Sequence, residues 1–284
     1  MAQLHQRAIN TIGASLMMND FNIVVEGRDG KFIVNKNDVV VSRSLILYGE
    51  YARQEMKYFK TFCAPGDVIV EVGANIGAHT VGLARTVENQ GQIIAIEPQP
   101  ILFHNLCGNI SINSLTNVQC LNLAISNVEG ITHIPPINYS SENNFSAFFL
   151  DDAYTGQKIS TKRLDDILRL SRFDFLKIDV EGMEMQVLEG TERHIKEFKP
   201  ILFVENIFHE KSQALIEHLW GMDYELYWCI TPYFSEDNFN QNKENVFSNN
   251  KSFDILGIHK SSDKDMPLTN LLPKVEDSEF HPLK

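Results

Sequence analysis

From residue 68 onward, short β-branched runs alternate with segments of helical period, and this alternation restricts the fold more than any other feature. Val68 to Val72 (VIVEV), Ile93 to Ile96 (IIAI), Val118 to Leu123, Phe173 to Ile178 and Pro200 to Val204 (PILFV) have strand length and suit burial on both faces. Helical spacing covers 76–87, the stripe Leu102, Phe103, Leu106 and Ile110 behind Pro100, residues 183–198 with a soft spot at Gly190, and 211–220. Two more strands are expected at 224–230 and 253–259. Strands alternating with helices predict an α/β fold, a mostly parallel sheet covered on both faces. The turn-rich stretch 127–163, with Pro135-Pro136, is expected to hold loops and short strands.

Other segments flank this core. Phe21 to Val25 and Lys31 to Val34 bracket Arg28-Asp29-Gly30 and predict a β-hairpin, followed by a helix over 44–60. Residues 1–60 thus read as an N-terminal appendage, and Pro65-Gly66 punctuates entry to a main domain spanning 61–260. Residues 261–284 are polar and proline-punctuated, the composition of a loosely ordered tail.

Ligands of open parallel sheets sit beyond the carboxyl ends of the strands. The residues after each strand are therefore the candidates. The first tip reads Glu71-Val72-Gly73-Ala74-Asn75-Ile76-Gly77, a glycine turn through which backbone can approach a nucleotide, or which only packs strand against helix. Its G-x-x-x-G spacing departs from the dinucleotide fingerprint. Glu71 would repel a pyrophosphate and suits a cationic ligand. The second tip, Glu97-Pro98, offers an acid placed to hold both hydroxyls of a ribose, or a solvated glutamate. Turn and acid together favour a nucleoside. Asn122 and Ala124 follow the third strand, where they line a base or simply leave the sheet. Asp179, Glu181 and Glu205 follow the fourth and fifth; carboxylates so close need a cation, a proton or hydroxyl donors, unless they form a solvated rim.

The chain carries 37 acidic against 25 basic residues, a net charge of −12. That argues against phosphate backbones and anionic membranes as partners. No apolar run reaches the length of a membrane span, and the N-terminus lacks the basic start and apolar run of a signal peptide. Cys63, Cys107, Cys120 and Cys229 are scattered, with no close-pair motif, as expected of reduced thiols in a cytoplasmic protein.

Glu71-Val-Gly-Ala-Asn-Ile-Gly, Ile96-Glu97-Pro98 and Lys177-Ile-Asp-Val-Glu-Gly, in that order, resemble the FkbM family of S-adenosylmethionine-dependent methyltransferases. Ala124-Ile-Ser and Leu164-Asp165-Asp166 fall where that family has similar elements, so the resemblance spans about residues 38–206. It implies a Rossmann-like class I methyltransferase fold, seven strands with the last antiparallel, and S-adenosylmethionine as cofactor. By the same resemblance, Glu71, Gly73, Ala74, Asn75 and Gly77, with His79 and Thr80 just beyond, would hold the methionine part. Glu97, followed by Pro98, would hold the ribose, and Asp179 and Glu181 would lie beside the methyl; Asn122 and Ala124 remain candidates for the base by position alone. Glu71 stands where many relatives have Asp, which keeps the charge and adds a methylene.

A sulfonium is positive, so an acidic site is expected on charge alone. An aliphatic hydroxyl is a weak nucleophile and benefits from a base. The candidates are Asp179, Glu181, Glu205 and His79, with Asp179 or Glu181 preferred; His79 is alternatively a packed histidine. The same carboxylates suit Mg²⁺ or Ca²⁺ by ligand type, although no metal is assigned. The loop 231–252 mixes Tyr233, Phe234, Phe239 and Phe247 with Asn238, Asn240, Asn242 and Asn245, which suits a sugar acceptor or an Asn-rich loop anchored by its rings. The leading expectation is an O-methyltransferase for a small-molecule or glycan acceptor. A macrolide hydroxyl or a nitrogen acceptor, a nucleotide-dependent oxidoreductase and a non-catalytic cofactor-binding module are the alternatives.

Overall fold

A computed structural model describes residues 21–148, 150, 155–262 and 267–283. The stretches 1–20, 263–266 and residue 284, parts of the expected appendage and tail, lie outside them.

The expected hairpin forms from β1 (Asn22–Gly27) and β2 (Gly30–Asn35). The single helix expected at 44–60 is instead two, α1 (Val41–Tyr48) and α2 (Arg53–Phe62). Gly49 takes a left-handed φ of 67° and caps α1 through its N–H on Leu45, and the chain re-enters a helix only after Ala52. Neither hairpin nor helices hang free. Phe32, Val34, Leu45, Met56 and Phe59 share one buried cluster with Ile69, Leu106 and Phe203. Asn113 accepts from the Lys31 N–H at 3.0 Å, and Asn109 donates to Ile33 O and Ile76 O, clamping the hairpin to the main domain.

The central sheet has seven strands: β3 (Val68–Val72), β4 (Gln92–Ile96), β5 (Val118–Leu121), β9 (Phe175–Ile178), β10 (Ile201–Glu205), β11 (Tyr224–Pro232) and β12 (Lys251–His259). Their order is β11-β12-β10-β9-β3-β4-β5. The β3, β4, β5, β9 and β10 pairings are parallel, while β12 runs antiparallel to both β10 and β11. This is the expected α/β class I methyltransferase architecture. The order reverses at β3, so the crevice above its tip is where a ligand is expected. A small sheet of β6 (Ala124–Ile125), β7 (Gly130–Ile134) and β8 (Gln157–Lys162) occupies the turn-rich insertion.

Helices α3 (Thr80–Val87), α4 (Pro100–Ile112), α5 (Leu164–Ile167), α6 (Glu184–Gly190), α7 (Glu192–Phe198) and α8 (His209–Gly221) complete the alternation. The expected helix over 76–87 starts only at Thr80, because residues 74–79 are spent on the loop that crosses the tip of β3. Residues after 270 do not behave as a loose tail. Val275 and His281 are buried, the Val275 N–H bonds Leu226 O, and the Trp228 N–H bonds Pro273 O along the outer strand β11. The segment is held both by backbone hydrogen bonds and by apolar packing, Val275 joining the buried cluster of Leu226 and Trp228 and Phe280 and His281 lying against the Trp228 ring. Among the described residues no helix is long and apolar enough to cross a membrane.

Candidate active site

The tip of β3 turns sharply. Gly73 has φ 85° and its N–H, like that of Ala74, bonds Ile96 O at 2.9 Å. A Cβ on Gly73 would stand 1.7 Å from Asp179 O, so only glycine lets the two strand ends approach this closely. The loop is then tied to the next strand. Glu97 accepts from the Asn75 N–H and from the Gln99 N–H, each at 2.8 Å.

Glu71, Gly73, Ala74, Asn75, His79, Glu97, Pro98, Ala124, Asp179, Glu181 and Glu205 all line one cavity of about 530 Å³. Three expected site residues do not. Thr80 is fully buried and donates to Glu71 at 2.6 Å, which orients that carboxylate from behind. Asn122 donates to Glu97 O and Pro98 O, bracing the second tip instead of facing a base. Gly77 turns with φ 81° beneath Leu106. Apolar Leu102, Ile134 and Phe148 also line the cavity, and Ile134 packs with Ala124.

The cavity is crowded with acid. Burial pushes Glu71 up to about 7 against the pull of Lys177 and Thr80, and pushes Glu97 up to about 7 against its two backbone hydrogen bonds. Burial, then Asp179 and Glu184, lifts Glu181 to about 8, at a left-handed φ of 54°. Burial and the neighbouring carboxylates raise Glu205 well above the usual carboxylate range. Lys177 is 2% exposed and lies 2.8 Å from Asp179. Burial works against its charge, yet Asp179, Glu71 and Glu55 hold its pKa above the ordinary lysine value.

Several cavity residues were not picked out from the sequence. Tyr51, Glu55, Ser252 and Asp254 come from the N-terminal helices and the β11–β12 hairpin. Glu55 accepts from Thr231 at 3.0 Å and Ser252 at 2.7 Å. His79 is buried, its pKa held well down by burial and then by Lys177; it bonds the Tyr51 backbone and its Nε2 lies 3.8 Å from Glu55. A signal existed: Glu55 sits on the same helix face as buried Phe59, and Lys177 and Asp254 interrupt apolar strands. Charges on buried stripes mark such sites.

The 231–252 loop is mostly anchored. Phe234 and Phe247 pack on Tyr48 at 5.3 and 5.9 Å, and Asn238 spends its amide on Ser235 O and Asn242 O. Of the rings named there, Tyr233 reaches the cavity, 5.9 Å from Tyr51. Among the described residues no group of three or more His, Cys, Asp or Glu is arranged to hold a metal ion.

The Methyltransferase FkbM domain matches residues 71–226. Methyltransferase sdnD of Sordaria araneosa is 30% identical over 156 residues, 44% of this chain and 60% of its own. Methyltransferase 1 of Beauveria bassiana is 29% identical over 144 residues, 43% and 57% respectively. The match thus spans about three fifths of each relative's length. The crystal structure of Methyltransferase FkbM from Methylobacillus flagellatus superposes with a TM-score of 0.48 at 16% identity, over 70% of this chain and 47% of that one. With more than half of its residues inside the family's domain, the chain belongs to the FkbM family of S-adenosylmethionine-dependent methyltransferases.

Proposed function

We propose that this protein transfers the methyl group of S-adenosylmethionine to a hydroxyl of a polyhydroxylated small molecule or glycan. The observation that carries the reading is the meeting of Glu71, Glu97, Asp179, Glu181 and Glu205 in one cavity that apolar side chains also line. The residues fit the cofactor. The turn at Gly73 leaves backbone uncovered beside the methionine part, where Glu71 and Asp179 oppose its positive charges. Glu97, its position fixed by two N–H groups, keeps lone pairs for ribose hydroxyls, and Leu102, Ile134 and Phe148 offer an apolar slot for the base. Thr80 and Asn122 act as positioning residues behind Glu71 and Glu97.

Bound cofactor supplies an electrophilic methyl group on a sulfonium. The protein's share is alignment, worth on the order of 7–11 kcal/mol in well-oriented systems, and exclusion of water. Asp179, bonded to Lys177, and Glu181 face the acceptor half with Glu205. Surrounding carboxylates disfavour phosphorylated or carboxylated acceptors and nucleic acid. Hydroxyl groups, by contrast, donate to them.

Calorimetry with S-adenosylhomocysteine tests the cofactor part. Binding is expected, and Glu97→Ala should weaken it at least tenfold; no binding by the parent chain would overturn the reading. Labelled-methyl transfer to a panel of sugars, polyols and flat aromatic alcohols then tests the acceptor, with label on the aromatic alcohols alone counting against a polyol.

A further inference from the structure

Glu205 and Asp254 stand directly opposite each other in the antiparallel register of β10 and β12. Directly opposed strand residues have Cβ atoms about 4.5–5.5 Å apart and project from the same sheet face. Both residues line the cavity, Asp254 is 5% exposed, and Glu205 Oε2 and Asp254 Oδ2 are buried without a hydrogen-bond partner. Two ionised carboxylates in that placement, away from water, repel strongly; one proton held between them removes the conflict and gives each orphaned oxygen a partner. Asp254 lies beyond the residues matched by the family's domain, so this pairing belongs to the closing hairpin of this chain.

We propose that Glu205 and Asp254 form a single proton-sharing carboxyl pair that accepts the proton of the acceptor hydroxyl during methyl transfer. This rests on the methyltransferase reading above. As the acceptor oxygen bonds the methyl carbon and the S–CH₃ bond breaks with its electrons going to sulfur, the hydroxyl proton passes to the ionised member of the pair. The product is an ether, neutral S-adenosylhomocysteine and a doubly protonated pair that returns one proton to water. Asp179 is less suited, because Lys177 already occupies it at 2.8 Å.

The groups facing the pair come from every side. Asp179, Glu181 and Glu184 raise its proton affinity from the β9–α6 connection, and Glu55 does so from α2. Lys177 opposes them, while Cys229 and Tyr233 border the pair from β11 and its loop, and Tyr51 from the N-terminal side.

Infrared difference titration of the full chain loaded with S-adenosylhomocysteine decides the protonation. In the difference between parent and variant spectra, which cancels the carboxyls common to both, one carboxyl proton should persist through pH 6–8 in the parent and be missing in both Glu205→Gln and Asp254→Asn. If either variant leaves the titration unaltered, or the pair is wholly ionised or doubly protonated across the window, the proposal fails. With any polyol that the parent chain methylates, each variant should lower kcat at least a hundredfold, leave S-adenosylhomocysteine affinity within about twofold, and show no further loss when combined. Loss in only one variant, or additive losses, would also overturn it. A parent chain that binds S-adenosylhomocysteine yet methylates none of the polyols defeats the acceptor reading, while the titration still decides the pair.

Discussion

The Lys177 ammonium lies 2.8 Å from the Asp179 carboxylate and is itself 2% exposed, beside the acids Glu71 and Glu55. It is cross-strand partner to Glu71 on one side and Phe203 on the other. One buried cation therefore offsets carboxylates that four separate segments bring together.

Replacing it should be costly. Lys177→Met should destabilise the chain by about 3 kcal/mol at pH 7, the lower end for breaking a buried pair because Asp179 is partly exposed. Its folded pKa is raised, so the stability it supplies is complete at neutral pH and is lost only as pH climbs above the ordinary lysine range. Urea denaturation at pH 7 measures this, and a loss well below 1 kcal/mol would contradict the charge-compensation account.

Glu71 and Glu97 are both raised to about 7 in the folded chain. A carboxyl that holds its proton more tightly when folded stabilises fully below its unfolded pKa, near 4.3, and that contribution drains away as pH rises toward 7. The ligand-free protein should accordingly have a higher urea midpoint at pH 5.5 than at pH 8. Equal midpoints in Glu71→Gln and in the parent across that range would show that Glu71 is not titrating as described.

Cofactor binding should expel protons. Burial raises both Glu71 and Glu97 to about 7, and a sulfonium beside them favours the ionised forms. Calorimetry in buffers of different ionisation enthalpy should reveal net proton release with S-adenosylmethionine, smaller with S-adenosylhomocysteine, whose sulfur is neutral. Identical release for both would remove the charge argument.

Gly73→Ala is expected to abolish cofactor binding and to lower the unfolding midpoint. The left-handed φ alone costs roughly 1–3 kcal/mol for a residue with a Cβ, and that Cβ meets Asp179 O at 1.7 Å. A stable variant with parental S-adenosylhomocysteine affinity would mean that the β3 and β9 tips are not as closely joined as the structure places them.

Local pattern was enough for the sheet. Val68–Val72 forms a strand over those same residues, because five consecutive β-branched or strand-compatible residues between turn signals leave few alternatives. Helix limits were less legible. The apolar period through 44–60 is continuous, yet Gly49 and Ala52 take left-handed conformations that split it, and the loop at 74–79 postpones α3 although its residues keep helical spacing. Periodicity reports which side is apolar, not where the hydrogen-bonded turns begin.

The strand-tip acids Glu71, Glu97, Asp179, Glu181 and Glu205 could be read in order along the chain because a parallel sheet delivers successive tips to one edge, a consequence of connectivity alone. The far side of the cavity was read only at Tyr233. Glu55, Tyr51 and Asp254 belong to segments far apart in sequence, and they meet only because the N-terminal helices pack over the face on which β12 opposes β10. Sequence thus determined the kind of sheet and one side of its cleft, through rules that act within each strand–helix unit. Which charges are buried together, and hence which of them hold protons, was decided by tertiary packing, because burial and mutual repulsion depend on distances that no local pattern contains.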